Sequence, residues 1–335
     1  MSPSGPGAVP DVQHGAVVQN GAVVQNGAVP RAGGGAVRQD SLAYRGPLAR
    51  EPLVNALAAH AVPGLERVTR GSDGAAVERL LTLPSGPVEI AVRFRSDGEV
   101  VLARPQLPDT EDAELTARVR SWLDLEADHT VIDPFLSRFD LLEPLVRCHP
   151  GLRVPGTTDG FETAVLTVLG QQVSLAAART FGARLVASFG RPGPAGLSTF
   201  PTPESLGAVP AEDIQAAVRI PHARARTVSA MARAAVEGLA LHPGADRHTA
   251  RRELLALPGI GPWTADYLAV RVLGDRDAYP ADDLVLKRAL GVGTGREAAL
   301  LSQPWRPWRS YALFHLWTAA AYAPVGKAAV GKAAG

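Results

Sequence analysis

Residues 254–267 read Leu-Leu-Ala-Leu-Pro-Gly-Ile-Gly-Pro-Trp-Thr-Ala-Asp-Tyr, and an acidic pair, Asp282-Asp283, follows in the next segment. The pattern predicts a helix over about 249–257, a four-residue hairpin Pro258-Gly259-Ile260-Gly261, and a second helix beginning at Pro262. Proline suits the first helical position, where its missing N–H would have no partner anyway. The two glycines allow a tight turn and bring bare backbone N–H groups close to a ligand. Such groups at a helix start favour an anion, and a phosphate is the obvious one.

The chain of 335 residues is long enough for two or three domains, and its 46% hydrophobic content fills a sizeable core. A net charge of +1 with pI near 8.0 singles out no class of partner. Local charge is more pointed. Seven arginines (Arg219, Arg224, Arg226, Arg233, Arg247, Arg251, Arg252) face only Glu237 and Asp246 between 219 and 252. That stretch either follows a phosphate backbone or forms a solvated helix face. Cys148 stands alone, which excludes a disulfide framework, a Cys-ligated zinc and an iron–sulfur cluster. A core thiol is the expectation for it. The eight histidines show no ligand spacing. No secretory signal and no stretch of membrane-spanning length is visible, so a soluble, intracellular protein is expected.

Residues 1–40 carry the near-repeat Gly-Ala-Val-Val-Gln-Asn at 15–20 and 21–26 and then a run of glycines. So little apolar surface does not offset the ordering entropy, and a disordered tail is expected there and again over 323–335. From 41 to 112 the pattern is mixed. A helix suits Pro52 to Ala61, and Val88, Ile90, Val92 and Phe94 alternate with Glu89, Ala91, Arg93 and Arg95 as in a half-buried strand. Turns are expected at 84–87 and 96–98. From 113 to 322 every strong period is helical, with Asp159 and Ser174 placed to cap helices over about 160–169 and 175–188. The fold class is therefore α+β: a small antiparallel N-terminal α+β domain followed by a mostly α-helical body.

Several separated runs, all in one order, resemble the AlkA-type 3-methyladenine DNA glycosylase II family of the HhH-GPD superfamily. They are Pro150–Gly156, Phe161–Ser174 with Gly-Gln-Gln-Val-Ser, Phe200-Pro-Thr-Pro203, Leu257–Tyr267, Pro280-Ala-Asp-Asp283 and Trp305–Trp317. The resemblance spans about 41–322. It implies a two-lobed glycosylase body over 113–322 with the helix-hairpin-helix at 249–273, and double-stranded DNA with a damaged base as the partner of a monomer.

The resemblance makes Asp283 the catalytic carboxylate. Breaking an N-glycosidic bond builds positive charge on the sugar, as in glycosidase transition states. A fixed carboxylate stabilises that charge and can orient or deprotonate water. On the dipeptide alone, an Asp after Pro-Ala reads better as the cap of a helix over 283–290. The hairpin twenty residues upstream turns the reading toward catalysis, leaving Asp282 as the cap or a lesser partner.

Trp263 occupies the position at which bifunctional relatives similar to endonuclease III carry a nucleophilic lysine, so no lyase step is expected from it. Trp263, Tyr267 and Trp317 would line the base pocket, which a flipped base must enter and where aromatic faces attract a cationic alkylated purine. Packing in the core is the alternative for these aromatics and the stronger reading for Trp305, Trp308 and Tyr311. Gln171 and Gln172 fall where the family inserts a wedge into the duplex; some members use a bulky apolar residue. Either could instead serve the helix break at 170–174.

Phosphate contacts are expected from Gly259, Gly261 and Thr264. By match, the backbone carbonyls of Leu255, Leu257 and Ile260 would hold a monovalent cation. Gly291–Gly295 lacks the Lys-Ser/Thr of a phosphate loop and reads as a turn. Arg219 stands before Pro221 where relatives often place glycine.

The expectation is a monofunctional glycosylase for alkylated purines of the 3-methyladenine and 7-methylguanine type, initiating base excision repair without redox or organic cofactor. Its site would be the bacterial cytoplasm, at the nucleoid through DNA. The alternatives are a glycosylase for deaminated or oxidised bases and a catalytically silent DNA-binding protein. Residues 1–40 hold no cysteine, so direct methyl transfer is not expected from them.

Overall fold

The computed structural model describes residues 37–322. Five strands, β1 (Val37–Ser41), β2 (Glu66–Gly71), β3 (Gly74–Leu83), β4 (Gly86–Arg95) and β5 (Val100–Pro105), form one antiparallel sheet. Their spatial order is β1-β5-β4-β3-β2. The turns at both ends of β4 fall where the Pro/Gly clusters predict them.

Residues 37–40 depart from the expected disordered tail. They join β1, whose Val37 pairs with Pro105 and Ser41 with Val101. The free edge of β5 supplies backbone partners, and the buried Arg104 binds both Asp40 and Asp112. The rest of the expected tail, residues 1–36, lies outside the described residues, as does 323–335.

Val88, Ile90, Val92 and Phe94 face the core, as their alternation predicts. The other face is covered as well, since Glu89 and Ala91 are buried. A ribbon of two short strands, β6 (Arg191–Pro192) and β7 (Ser198–Thr199), crosses that face, and Gly193 between them leaves a Cβ no room against Leu80. Helices α1 (Arg50–His60) and α2 (Asp109–Trp122) cover the inner face with Leu53, Val54 and Leu57, and with Leu115, Val119 and Trp122. The spacing of Leu115, Val119 and Trp122 makes one helical stripe. The sheet's core thus extends beyond residue 112, where a domain boundary was expected.

The remainder is helical: α3 (His129–Leu136), α4 (Glu143–Cys148), α5 (Gly160–Gly170), α6 (Leu175–Phe189), α7 (Pro203–Gly207), α8 (Ala211–Val218), α9 (His222–Val236), α10 (Arg247–Ala256), α11 (Pro262–Arg271), α12 (Leu284–Leu290), α13 (Gly295–Leu301) and α14 (Arg309–Tyr322). Asp159 and Ser174 cap α5 and α6 as their positions predict. Two cores result. One gathers α5 to α11 around Val165, Val168, Leu254 and Leu268; the other gathers α3, α4 and α12 to α14 around Leu136, Leu286, Trp305 and Tyr311. Helix α11 is their shared wall, giving Ala265 and Leu268 to the first and Val270 to the second. Its remaining face looks into the cleft between them.

Helix α10 is polar along most of its length, so its anchors decide its place. The Asp246 cap contributes about 1 kcal/mol. Full burial of Leu254 contributes roughly 1.5–3 kcal/mol and outweighs it.

Cys148 corrects the expectation of a core thiol. It is exposed, at the last position of a helix in which Val146 is the buried residue, with Sγ 3.6 Å from His149 Nε2. The seven arginines do not form one stripe either. Arg247 and Arg251 pair with Asp275 and Asp266, and Arg224 turns inward to the carbonyl of Gln171. Arg219 ends α8 in the left-handed conformation, at φ 61°. In the glycine run, Gly291 closes α12, and Thr294 with Glu297 forms a capping box on α13.

Candidate active site

The hairpin holds its shape through contacts with α9. Gly259 has φ +81°, and a Cβ there would lie 2.3 Å from Thr227 Oγ1. Glycine is thus required twice, for conformation and for space. Ile260 is buried as the hairpin's anchor, whereas Gly259 is exposed and Gly261 half-buried. Backbone at these two glycines is presented outward at the start of α11. Thr264 is different: its side chain is 3% exposed, and its hydroxyl accepts Gln171 Nε2 at 3.0 Å. The expected phosphate ligand therefore points into the fold.

The two glutamines part company. Gln171 is bound into the hairpin, donating to the Gly259 carbonyl at 3.1 Å as well as to Thr264, while its own carbonyl accepts Arg224 Nη2 at 2.6 Å. Gln172 is exposed and left-handed at φ 55°, at the tip between α5 and α6. The structural reading applies to Gln171 and leaves Gln172 as the projecting side chain.

Of the two roles weighed for the acidic pair, the structure shows the cap, and it falls to Asp283. It caps α12, with Oδ1 accepting Leu286 N–H at 2.8 Å. Oδ1 also accepts Trp317 Nε1 at 3.0 Å, and Oδ2 accepts Trp263 Nε1 at 3.0 Å. Asp282, expected as the cap or a lesser partner, is not the cap; it is exposed and lies over Gly295, where a Cβ would be 2.1 Å from its Oδ1. The carboxylate of Asp283 is 9% exposed and keeps one Oδ2 lone pair free of these three donors.

The three aromatics meet at this carboxylate. Trp263 and Tyr267, one turn apart on α11, stack at 5.2 Å and 13°; Tyr267 and Trp317 lie 6.1 Å apart at 44°. All three line a cavity of about 900 Å³ that runs from Asp283 toward α1 and the sheet. Such a volume is near the upper end of the ~300–1,000 Å³ of small-molecule sites. Trp305 and Tyr311 are buried and Trp308 half-buried in the second core, as expected.

The cavity also brings in residues that the sequence did not single out. Arg271, one turn past Tyr267, donates from Nη1 to the Tyr267 hydroxyl at 2.9 Å. The Trp263–Tyr267–Arg271 spacing of four, which places side chains on one helix face, was the available signal. At the far end Glu162, 5% exposed, binds Arg79 Nη2 at 2.7 Å, and Arg79 also binds Glu66. Burial pushes the Glu162 pKa up; Arg79 opposes this, and Glu66 adds to it because two carboxylates share one guanidinium.

The cation ligands expected by match are backbone groups at the end of α10 and in the hairpin. The Leu257 carbonyl accepts Ile260 N–H at 3.2 Å and retains a second lone pair. Three neutral carbonyl oxygens are a donor set suited to a hard cation.

A family model for the AlkA N-terminal domain matches residues 40–159, and one for the HhH-GPD superfamily of base excision DNA repair proteins matches 165–292. A Mycobacterium tuberculosis relative described as a probable bifunctional transcriptional activator/DNA repair enzyme AlkA is 44% identical over 287 residues, covering 83% of this chain and 56% of that protein. The chain thus spans little more than half of that relative's length. DNA-3-methyladenine glycosylase 2 of Escherichia coli is 34% identical over 216 residues, covering 63% of this chain and 74% of the relative. A solved 3-methyladenine DNA glycosylase from Archaeoglobus fulgidus shares the fold at TM-score 0.73 and 19% identity, over 85% of this chain and 99% of its own. The chain belongs to the HhH-GPD superfamily of base excision DNA repair proteins, within its AlkA-like 3-methyladenine DNA glycosylase II family.

Proposed function

We propose that the chain is a monofunctional DNA glycosylase that releases alkylated purines of the 3-methyladenine and 7-methylguanine type from duplex DNA. The observation that carries the reading is the Asp283 carboxylate, held by two indole N–H groups and one backbone N–H at the mouth of an aromatic-lined cavity. Those donors arrive from α11, α12 and α14, so the carboxylate is fixed before any substrate binds. Preorganised charge of this kind lowers a barrier without reorganisation at the moment of reaction.

In this reading the hairpin backbone at Gly259 and Gly261 takes a phosphate, and Gln172 fills the gap left by the extruded nucleotide. The base enters against Tyr267 and Trp317. The uncommitted lone pair of Asp283 Oδ2 faces the sugar as cationic character grows at C1′, and the same carboxylate orients the attacking water. Alkylation at N3 or N7 makes the base a good leaving group, so little acid catalysis is required. No amine stands at position 263, and the strand stays intact. A monovalent cation on the carbonyls of Leu255, Leu257 and Ile260 would brace the hairpin; no organic cofactor has a part.

We place the protein as a monomer in the bacterial cytoplasm, on DNA. No helix among the described residues is long and apolar enough to cross a membrane. The test is base release from methylated duplex DNA, with strand scission scored before and after alkali. Release of methylpurines with nicks only after alkali is expected. Nicks without alkali would overturn the monofunctional reading, and salt-sensitive binding without release would replace it by a silent DNA-binding protein.

A further inference from the structure

The chemistry so far makes the pocket a receiver of cations, yet a fixed cation already lies in it. Trp263, Tyr267 and Arg271 sit four residues apart on one face of α11, and all three line the cavity. The guanidinium carbon of Arg271 is 5.7 Å from the Tyr267 ring centroid, and Nη1 holds the Tyr267 hydroxyl. Nη2 reaches the Gly156 carbonyl only at 3.5 Å, and Nε is buried without an acceptor among the described residues. No carboxylate pairs with Arg271 among the described residues. A guanidinium offers five N–H donors, so most of its hydrogen-bonding capacity is uncommitted.

One face of Tyr267 is taken by the stacked ring of Trp263. A base laid on the other face brings its edge toward the phenol and toward the guanidinium that holds it. An oxygen at purine C6 is an acceptor and would receive N–H groups from Arg271. An amino group at C6, with its own N–H donors, would meet donors and a like-signed charge if the base is cationic.

We propose that Arg271 is a specificity-determining residue of this pocket, favouring purines with a carbonyl oxygen at C6 over those with an amino group there. The proposal rests on the glycosylase reading and deepens it. 7-Methylguanine, cationic but bearing O6, gains the hydrogen bond against the charge; hypoxanthine, neutral with O6, gains it without opposition; 3-methyladenine gains nothing.

The test measures single-turnover release of hypoxanthine, 7-methylguanine and 3-methyladenine from duplex DNA by the unaltered chain, Arg271→Met and Arg271→Lys. Ratios are taken within each variant, so a change in folded fraction cancels. The Met variant keeps length and loses every donor; the ratio of 6-oxopurine to 3-methyladenine release is expected to fall about tenfold or more, which is roughly 1.4 kcal/mol. The Lys variant keeps the charge and loses the planar fork, and should lower the ratio by a smaller factor even if the Met variant is inactive. An unchanged ratio in both variants, or a rise, would overturn the assignment while leaving the glycosylase intact. No release of any base by the unaltered chain would overturn the glycosylase reading and this assignment with it.

Discussion

The indole N–H of Trp263 donates to Oδ2 of Asp283 at 3.0 Å, across twenty residues of sequence and from the first turn of α11 to the N-cap of α12. That bond gives the tryptophan a duty beyond lining a pocket. Trp263→Phe keeps an aromatic face and deletes the donor. We expect single-turnover base release to fall about tenfold, roughly 1.4 kcal/mol of transition-state stabilisation, with DNA affinity within twofold of the parent. Equal losses in rate and affinity would show that the ring, and not its N–H, was the contribution.

Gln171 and Gln172 should fail differently. Gln172→Ala removes the projecting side chain and should slow release from fully paired duplex about tenfold, with a smaller effect when the lesion lies opposite a mismatch, where extrusion costs less. Gln171→Ala removes the bonds to Gly259 and Thr264, so hairpin order and DNA affinity should drop together. Single-turnover release and fluorescence titration on both duplexes separate the two, and matching profiles would contradict the division.

Gly259→Ala should destabilise the fold on two counts. The left-handed backbone costs a non-glycine residue about 1–2 kcal/mol, and crowding against Thr227 adds roughly 1–3 kcal/mol. Adding Thr227→Ala should recover the crowding part and leave the backbone part. Urea denaturation of the single and double variants reads both, and full recovery would mean that strain at φ +81° matters little.

Acid should weaken the second core through His315. Its imidazole is 1% exposed, and burial, aided by the neighbouring His129 and His149 and opposed by Asp133, pushes its pKa down to about 4. The unfolded chain binds this proton at about 6.5 while the native state does not, so stability is full above 6.5 and is lost as pH falls from 6.5 toward 4. The loss has an upper bound of roughly 3 kcal/mol. His315→Leu should flatten that part of the stability profile, measured by denaturant midpoints from pH 7 to 4.5. An unchanged slope would assign the acid sensitivity elsewhere.

The local parts of this architecture were legible in the sequence because their causes are local. Asp159 and Ser174 precede apolar periods and cap them; Pro258 to Pro262 encodes a turn by backbone geometry alone. What escaped depends on contacts between distant segments. The strand at 37–41 is made by the open edge of β5, and α2 joins the sheet because its apolar stripe finds it. Cys148 is a small apolar residue whose exposure depends on where a six-residue helix happens to face. The acidic pair shows the limit most clearly. Capping and catalysis were weighed as rivals, yet the Leu286 N–H that Asp283 caps is one of the three groups that orient its carboxylate. Arg271 was visible as the third member of an i, i+4, i+8 row, but its meaning comes from the Tyr267 hydroxyl and the cavity beside it.

In the proposed function, chemistry depends on the Asp283 carboxylate. Asp283→Asn keeps the size and, with its oxygen at the Oδ1 position, the Leu286 cap, but it turns an amide N–H₂ toward the indole donor of Trp263 and removes the negative charge. Single-turnover release of 3-methyladenine and 7-methylguanine should fall by at least about a hundredfold, roughly 2.7 kcal/mol or more, while lesion-duplex affinity stays within a few-fold of the parent. Release by the Asn variant at a rate near the parent's, with binding intact, would contradict the claim and leave Asp283 as the helix cap alone.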